Sequence, residues 1–189
     1  LEILLKKSRQ NNPLKRPLVI TESLFSMEGT TAPIKEISIL CAKYDSKLLV
    51  DEAHALGVMG SQGRGESFGI QETISIISGT FGKAFGSGGA FLATDNKTGE
   101  DLIQNCGAFR YTTALAPPLC ASALAALNLI ENNPSWGRKL QEDSIVLRKK
   151  LSQNGWESPL GHGPIISIIL GSDELAMGYQ KVLEDQGLL

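Results

Sequence analysis

Two pairs of polar residues follow two short apolar runs, and their side chains are capable of acid–base and covalent chemistry. Asp51 and His54 come after the run at 48–50, and Thr80 and Lys83 come after the next run, near residue 77. Short apolar runs predict buried parallel strands, and ligands of α/β sheets bind where such strands end. The chain between His54 and Thr80 is long enough for a crossover connection. The two strand ends are therefore predicted to lie side by side.

These four side chains meet the chemical needs of pyridoxal phosphate. The amine of Lys83 can form an imine with the cofactor aldehyde, and the hydroxyl of Thr80 can hold the phosphate. A carboxylate such as Asp51 can keep the pyridine nitrogen protonated, because an opposite charge favours the charged form. His54 can then hydrogen-bond to the phenolic oxygen. Singly, each residue has a commoner explanation, such as a solvated lysine or a helix-capping aspartate; the spacing of all four favours the cofactor.

The composition is that of an ordinary globular protein. Of the 189 residues, 42% are hydrophobic and the formal net charge is −2, which predicts a packed core and no surface for nucleic acid. Cys41, Cys106 and Cys120 are odd in number and widely spaced, which fits the cytoplasm and argues against a disulfide framework or a zinc site. No apolar run reaches membrane-spanning length. We therefore expect a cytoplasmic protein with no metal, nucleic-acid or membrane partner.

The order of the predicted elements indicates an α/β fold with a mostly parallel sheet and helices on both faces. The predicted strands span residues 18–20, 47–50, 74–77, 90–93 and 165–170, with a short β-prone stretch at 109–113. The strand at 90–93 is interpreted as an antiparallel return. The predicted helices span residues 1–9, 136–153 and 173–186, with others beginning at Pro33 and at Pro117 and the latter ending at 132–134.

The run at 50–54, VDEAH, also matches the acidic box of a DEAH-class helicase. In that interpretation Asp51 and Glu52 would serve Mg-ATP. It requires a phosphate loop of the form G-x-x-x-x-G-K-[ST], whereas Gly82–Lys83 lies after the acidic box and is followed by Ala84. The slightly acidic charge balance also counts against a nucleic-acid motor. A fragment of such an ATPase stays the distant alternative.

Four motifs in order resemble the α-oxoamine synthases, which are pyridoxal-phosphate enzymes of the aspartate-aminotransferase fold. The motifs are FSMEG at 25–29, the acidic box, QGRG at 62–65 and GTFGKAFG at 79–86. The resemblance implies that residues 1–133 are part of the large cofactor-binding domain of a fold type I enzyme. Residues 134–189 would be a connecting helix and part of a small α+β domain. We expect the chain to be an internal piece of a larger protein, and a poor catalyst alone.

The resemblance also implies roles for individual residues. Lys83 matches the lysine that binds the cofactor covalently, and Asp51 matches the partner of the pyridine nitrogen. His54 and Ser26 match residues at the phenolic oxygen, and Thr80 matches a phosphate ligand. Without the resemblance, the hydroxyl of Ser26 would be interpreted as an ordinary loop group.

The segments at 86–91 and 111–118 are most similar to one branch of this family. That branch condenses L-alanine with a pimeloyl thioester, carried by CoA or acyl carrier protein, and releases carbon dioxide to give 8-amino-7-oxononanoate for biotin. The sister branches share the catalytic motifs and remain alternatives for this chain. They are 2-amino-3-ketobutyrate CoA ligase, 5-aminolevulinate synthase and serine palmitoyltransferase. The resemblance further implies a homodimer, in which Thr112 and Thr113 contact the phosphate in the other subunit's site.

Overall fold

A computed structural model describes residues 1–70, 73–157 and 161–188. Within these residues, four strands form one sheet in the order β1–β2–β3–β4. They are β1 (Leu18–Glu22), β2 (Lys47–Asp51), β3 (Ile76–Thr80) and β4 (Ala90–Thr94). The first three strands run parallel, and β4 pairs antiparallel with β3. The predicted mostly parallel sheet and its antiparallel return are confirmed.

The register brings the carboxyl ends of three strands to one edge of the sheet. Glu22 of β1 pairs with Asp51 of β2, and Asp51 pairs with Ser78 of β3. The crossover from β2 to β3 contains no α-helix among its described residues and includes a 3-10 turn at Ser61–Gly63. Gly60 and Gly65 adopt φ of +71° and +84°, a conformation that interrupts helical structure. The described part of the crossover is therefore a loop with one 3-10 turn.

Seven α-helices are present in the described part of the chain. They are α1 (Glu2–Asn11), α2 (Ile34–Lys43), α3 (Asn96–Asn105), α4 (Gly107–Arg110), α5 (Pro117–Asn132), α6 (Trp136–Gln153) and α7 (Asp173–Asp185). Helix α3 is not among the predicted elements, although Asp95 caps it by accepting from the Thr98 N–H. None of the helices in this part of the chain combines the length and apolarity needed to cross a bilayer.

The core fixes the central strand β2 against helix α2. Leu48 and Val50 are fully buried and pack against Ile34 and Cys41 of α2. Burying a side chain of this size contributes roughly 2 kcal/mol. The packing of Leu48 and Val50 against α2 thus fixes the position of β2, the strand that ends in Asp51.

The β-prone stretch at 109–113 is not a strand. Cys106 donates its N–H to the Leu102 carbonyl at the end of α3, and its own carbonyl accepts from the N–H groups of Phe109 and Arg110. These local bonds build the short helix α4. The prediction is wrong because strand propensity depends on a neighbouring strand, and here the backbone donors are satisfied within one turn.

The predicted strand at 165–170 is also wrong. This segment crosses the loop after β1, where Ser167 Oγ donates to the Glu28 carbonyl at 3.2 Å. The Ile165 carbonyl accepts from Arg148 Nη2 of α6 at 2.5 Å. A strand needs the backbone of a partner strand, and at Ile165 a side chain takes that place.

The boundary predicted between residues 133 and 134 coincides with the short break between α5 and α6. Helix α6 nevertheless packs on the first part of the chain. Gln141 Nε2 donates to the Val58 carbonyl at 2.7 Å. A Cβ at Gly137 would lie 2.8 Å from the same carbonyl oxygen. The division into 1–133 and 134–189 stays a prediction.

Candidate active site

Asp51 and His54 are placed by the backbone that leaves strand β2. Asp51 is the last residue of β2, is half-buried, and accepts the Ala53 N–H through Oδ1 at 2.8 Å. The Glu52 carbonyl then accepts from the N–H groups of Ala55 and Leu56, both at 2.9 Å. These bonds close a single turn that carries the half-buried His54. The carboxylate and the imidazole therefore leave the sheet from one short, hydrogen-bonded segment.

Lys83 lies on the loop that joins β3 to β4, which internal hydrogen bonds hold closed. Phe81 donates its N–H to the Gly89 carbonyl at 2.9 Å, and Ser87 donates to the Phe81 carbonyl at 2.8 Å. The carbonyl of Lys83 accepts from Gly86 at 2.9 Å, and Gly86 has a φ of +56°, which favours glycine. The exposed side chain of Lys83 is thus attached to a turn whose backbone is fixed by hydrogen bonds.

The charges of these residues act on one another. Partial burial lowers the pKa of His54 below its ordinary value, and the positive charge of Lys83 lowers it further, whereas the carboxylates of Glu22 and Asp51 raise it. The lowered pKa favours the neutral imidazole, which both donates and accepts a hydrogen bond. An amine, an imidazole and a carboxylate at two neighbouring strand ends therefore lie near enough for their charges to interact.

Thr80 is the last residue of β3, and its hydroxyl is part of the β3–β4 loop. Oγ1 donates to the Gly89 carbonyl at 3.1 Å and accepts the Gly82 N–H at 3.1 Å. A phosphate could accept the hydroxyl proton only if that proton turned away from Gly89. The phosphate role stays a prediction.

Ser26, Thr112 and Thr113, which the sequence also predicts as cofactor-binding residues, form no direct contact through hydrogen bonds with Asp51, His54 or Lys83 in the described part of the chain. Ser26 lies on the exposed turn after β1, and the two threonines lie on the exposed segment between α4 and α5. Ser26 does share the edge of the sheet with Asp51, because β1 and β2 are parallel neighbours.

Glu52 lies directly after Asp51, and its burial is not predicted from the sequence. Its side chain is only 1% exposed, and its oxygens accept hydrogen bonds from Ser23, Glu66 and Ser67. A carboxylate enclosed in this way by protein donors is not available to Mg²⁺, which counts against the ATPase interpretation. Gly65 leaves room for this carboxylate, since a Cβ there would lie 2.7 Å from Glu52 Oε2.

The chain belongs to the aminotransferase class I and II family, whose model matches residues 1–189. It is 38% identical over 175 residues to a putative 8-amino-7-oxononanoate synthase of Acetivibrio thermocellus, covering 92% of this chain and 45% of that protein. It is 34% identical over 185 residues to the 8-amino-7-oxononanoate synthase of Lysinibacillus sphaericus, covering 97% and 48%. The chain thus spans about half the length of the curated relatives it matches.

Solved structures show the same fold. A variant of the serine palmitoyltransferase from S. paucimobilis with a bound PLP–myriocin aldimine superposes with a TM-score of 0.88 and 27% identity, covering 100% of this chain and 50% of that one. The 8-amino-7-oxononanoate synthase of Francisella tularensis gives a TM-score of 0.81 and 28% identity, covering 97% and 55%. The predicted family resemblance and the predicted fold are both confirmed.

Proposed function

We propose that this chain provides the cofactor-binding core of a pyridoxal-phosphate-dependent C-acyltransferase. In the reaction, the α-carbon of L-alanine forms a bond to the carbonyl carbon of a pimeloyl thioester, and the free thiol and carbon dioxide are released. The product is 8-amino-7-oxononanoate, which is used in biotin synthesis. The observation that supports the proposal is the parallel pairing of β2 with β3, which places Asp51 and His54 at the end of one strand and Lys83 after the end of its neighbour, at one edge of the sheet. The curated relatives named for this product support the choice of branch.

The donor set fits the cofactor. Pyridoxal phosphate needs an amine for its aldehyde, an anion for its ring nitrogen and a hydrogen-bonding group for its phenolic oxygen, and Lys83, Asp51 and His54 offer these three. Ser26 would add a second hydroxyl at the phenolic oxygen, and Thr80 would bind the phosphate. When bound, the cofactor supplies an electron sink for a carbanion at the amino acid's α-carbon.

The side chains of this chain would carry out the remaining tasks. The Lys83 amine would hold the cofactor covalently, and Nζ would also be the base that takes the α-proton. Asp51 keeps a proton on the ring nitrogen, since its negative charge favours the protonated form. His54 orients the ring through the phenolic oxygen. The bonds that hold the β3–β4 loop keep the lysine in place, and preorganisation of this kind supports catalysis.

An assay of the intact protein tests this function. With pyridoxal phosphate, L-alanine and a pimeloyl thioester, we expect carbon dioxide release and a ketone product. Glycine or serine should give a kcat/KM at least about tenfold lower, because a binding site discriminates by roughly 1–3 kcal/mol per methylene-sized group. A preference for serine with palmitoyl-CoA would instead identify a serine palmitoyltransferase, which the superposition with TM-score 0.88 makes the second candidate. Mg-dependent ATP hydrolysis without ketone formation would contradict both.

We further infer a homodimer with shared sites, in the cytoplasm. The cysteines of the described chain are free thiols, which fits a reducing compartment. Thr112 and Thr113 are exposed, and among the described residues their side chains form no hydrogen bond with Asp51, His54 or Lys83, which leaves them available to the site of a second copy of the chain.

Mixing two inactive variants of the intact protein tests the shared site. Lys83→Ala and Thr113→Val should each be impaired, and subunit exchange should restore activity, because one site of each heterodimer then contains neither substitution. At equal mixing about half of the dimers are mixed and have one intact site, so up to about a quarter of wild-type activity should return. No recovery after exchange, verified with tagged subunits, would show that Thr113 acts within its own subunit or not at all.

A further inference from the structure

The most enclosed carboxylate in the described part of the chain belongs to Glu52, and the reaction proposed above does not use it. Oε2 accepts from Ser23 Oγ at 2.6 Å and from the Glu66 N–H at 3.2 Å. Oε1 accepts from the Ser67 N–H at 2.6 Å and also from the Ser67 hydroxyl. Each oxygen therefore has two donors, as a buried carboxylate requires.

These bonds connect the strand ends that form the candidate site. Ser23 follows β1 and donates its N–H to the Asp51 carbonyl at 2.9 Å, while the Glu52 N–H donates to Ser78 of β3 at 2.8 Å. Glu66 and Ser67 belong to the crossover loop. The Glu52 carboxylate thus ties β1 and the crossover loop to the segment that has Asp51 before it and His54 after it.

Gly65 shows how tightly the loop fits around this carboxylate. A Cβ at Gly65 would lie 2.7 Å from Oε2 and 2.8 Å from the carboxyl carbon, and its φ of +84° also favours glycine. The acidic box and the QGRG motif are therefore one packed unit.

We propose that Glu52 is a positioning residue for cofactor binding. Its carboxylate holds the turn at 52–56 so that Asp51 and His54 face the cofactor together. This inference rests on the proposed function. This positioning role requires a carboxylate at residue 52. An amide nitrogen in place of either oxygen would face the backbone N–H of Glu66 or of Ser67, and an N–H group cannot become an acceptor.

The test compares three variants of the intact protein by titrating the cofactor-free form with pyridoxal phosphate. Glu52→Gln keeps the shape of the side chain but leaves one backbone N–H, of Glu66 or of Ser67, without an acceptor. Ser67→Ala removes the hydroxyl that donates to Oε1. Glu66→Gln is the matched control, because it removes a half-buried charge next to Ser67 and leaves the Glu66 N–H in place. The readouts are the cofactor Kd, the pH dependence of its visible absorption, and the urea midpoint of the cofactor-free protein.

Glu52→Gln should raise the cofactor Kd about tenfold or more and shift the pH dependence of the absorption, and Ser67→Ala should raise Kd about threefold. Glu66→Gln should stay within about twofold of wild type. A lowered urea midpoint with unchanged Kd and absorption would show a merely structural role and overturn the inference. If Glu52→Gln does not fold, an unchanged Kd for Ser67→Ala overturns it equally. A wild-type protein that binds no pyridoxal phosphate would instead refute the proposed function itself.

Discussion

Replacing Lys83 by alanine in the intact protein should reduce kcat by about a thousandfold or more. The substitution removes both the covalent attachment point and the base for the α-proton, and positioned general bases alone contribute about 10²–10⁴-fold. The fold should survive, since the Lys83 side chain is exposed and the loop bond to Gly86 uses only its backbone carbonyl. Lys97→Ala is the matched control, because Lys97 is an exposed lysine on helix α3.

Reduction with borohydride locates the attachment directly. Treatment of the wild-type protein with pyridoxal phosphate and borohydride, followed by peptide mapping, should place the label on the peptide that contains Lys83. The Lys83→Ala protein should remain unlabelled, while Lys97→Ala should be labelled like wild type. Label on Lys97, Lys139 or any other lysine would contradict the assignment, even if the Lys83 variant were inactive.

Replacing Asp51 by asparagine should lower kcat by about a hundredfold or more while the cofactor stays attached to Lys83. An amide has no negative charge to keep the pyridine nitrogen protonated, so the electron sink is weakened. The local structure should be retained, because the Oδ1 that accepts the Ala53 N–H is present in both side chains. The measurements are kcat, the visible absorption of the bound cofactor and the melting temperature.

Asp45→Asn provides the control for this prediction. Asp45 is an exposed carboxylate that pairs with Arg16 at 3.0 Å, and its φ of +49° is one that asparagine also tolerates. We expect this variant to keep its kcat, since exposed ion pairs contribute at most about 1 kcal/mol to stability and the residue lies outside the site. Near-wild-type turnover of Asp51→Asn, with unchanged absorption, would refute the role of Asp51.

Elements with explicit boundary signals could be predicted from the sequence. Helix α5 begins at Pro117 and helix α6 ends at Gln153, as predicted. Proline favours the first turn of a helix, and Gly155, with a φ of +81°, lies just beyond the end of α6. The neighbouring ends of β2 and β3 could also be predicted, since parallel strands need a long crossover and ligand-binding residues gather at their carboxyl ends.

Elements that depend on distant partners could not be predicted. The apolar segment at 165–170 has the composition of a strand, yet a strand exists only where another backbone lies beside it, and here Arg148 binds the Ile165 carbonyl. The short helix α4 replaces a predicted β-prone stretch because Cys106 accepts two backbone donors locally. Neither outcome is visible in residue types alone.

The sequence by itself determined which chemical groups the site contains and in what order they leave the strands. A lysine, a histidine and an aspartate at these spacings indicate the cofactor through their chemistry alone. Only the tertiary structure decided that Glu52, adjacent to Asp51, is buried and binds Ser23 and Ser67, which lie 29 and 15 residues away along the chain. The physical reason is that burial and hydrogen bonding between distant residues depend on how the strands and the crossover loop pack, whereas chemical identity does not.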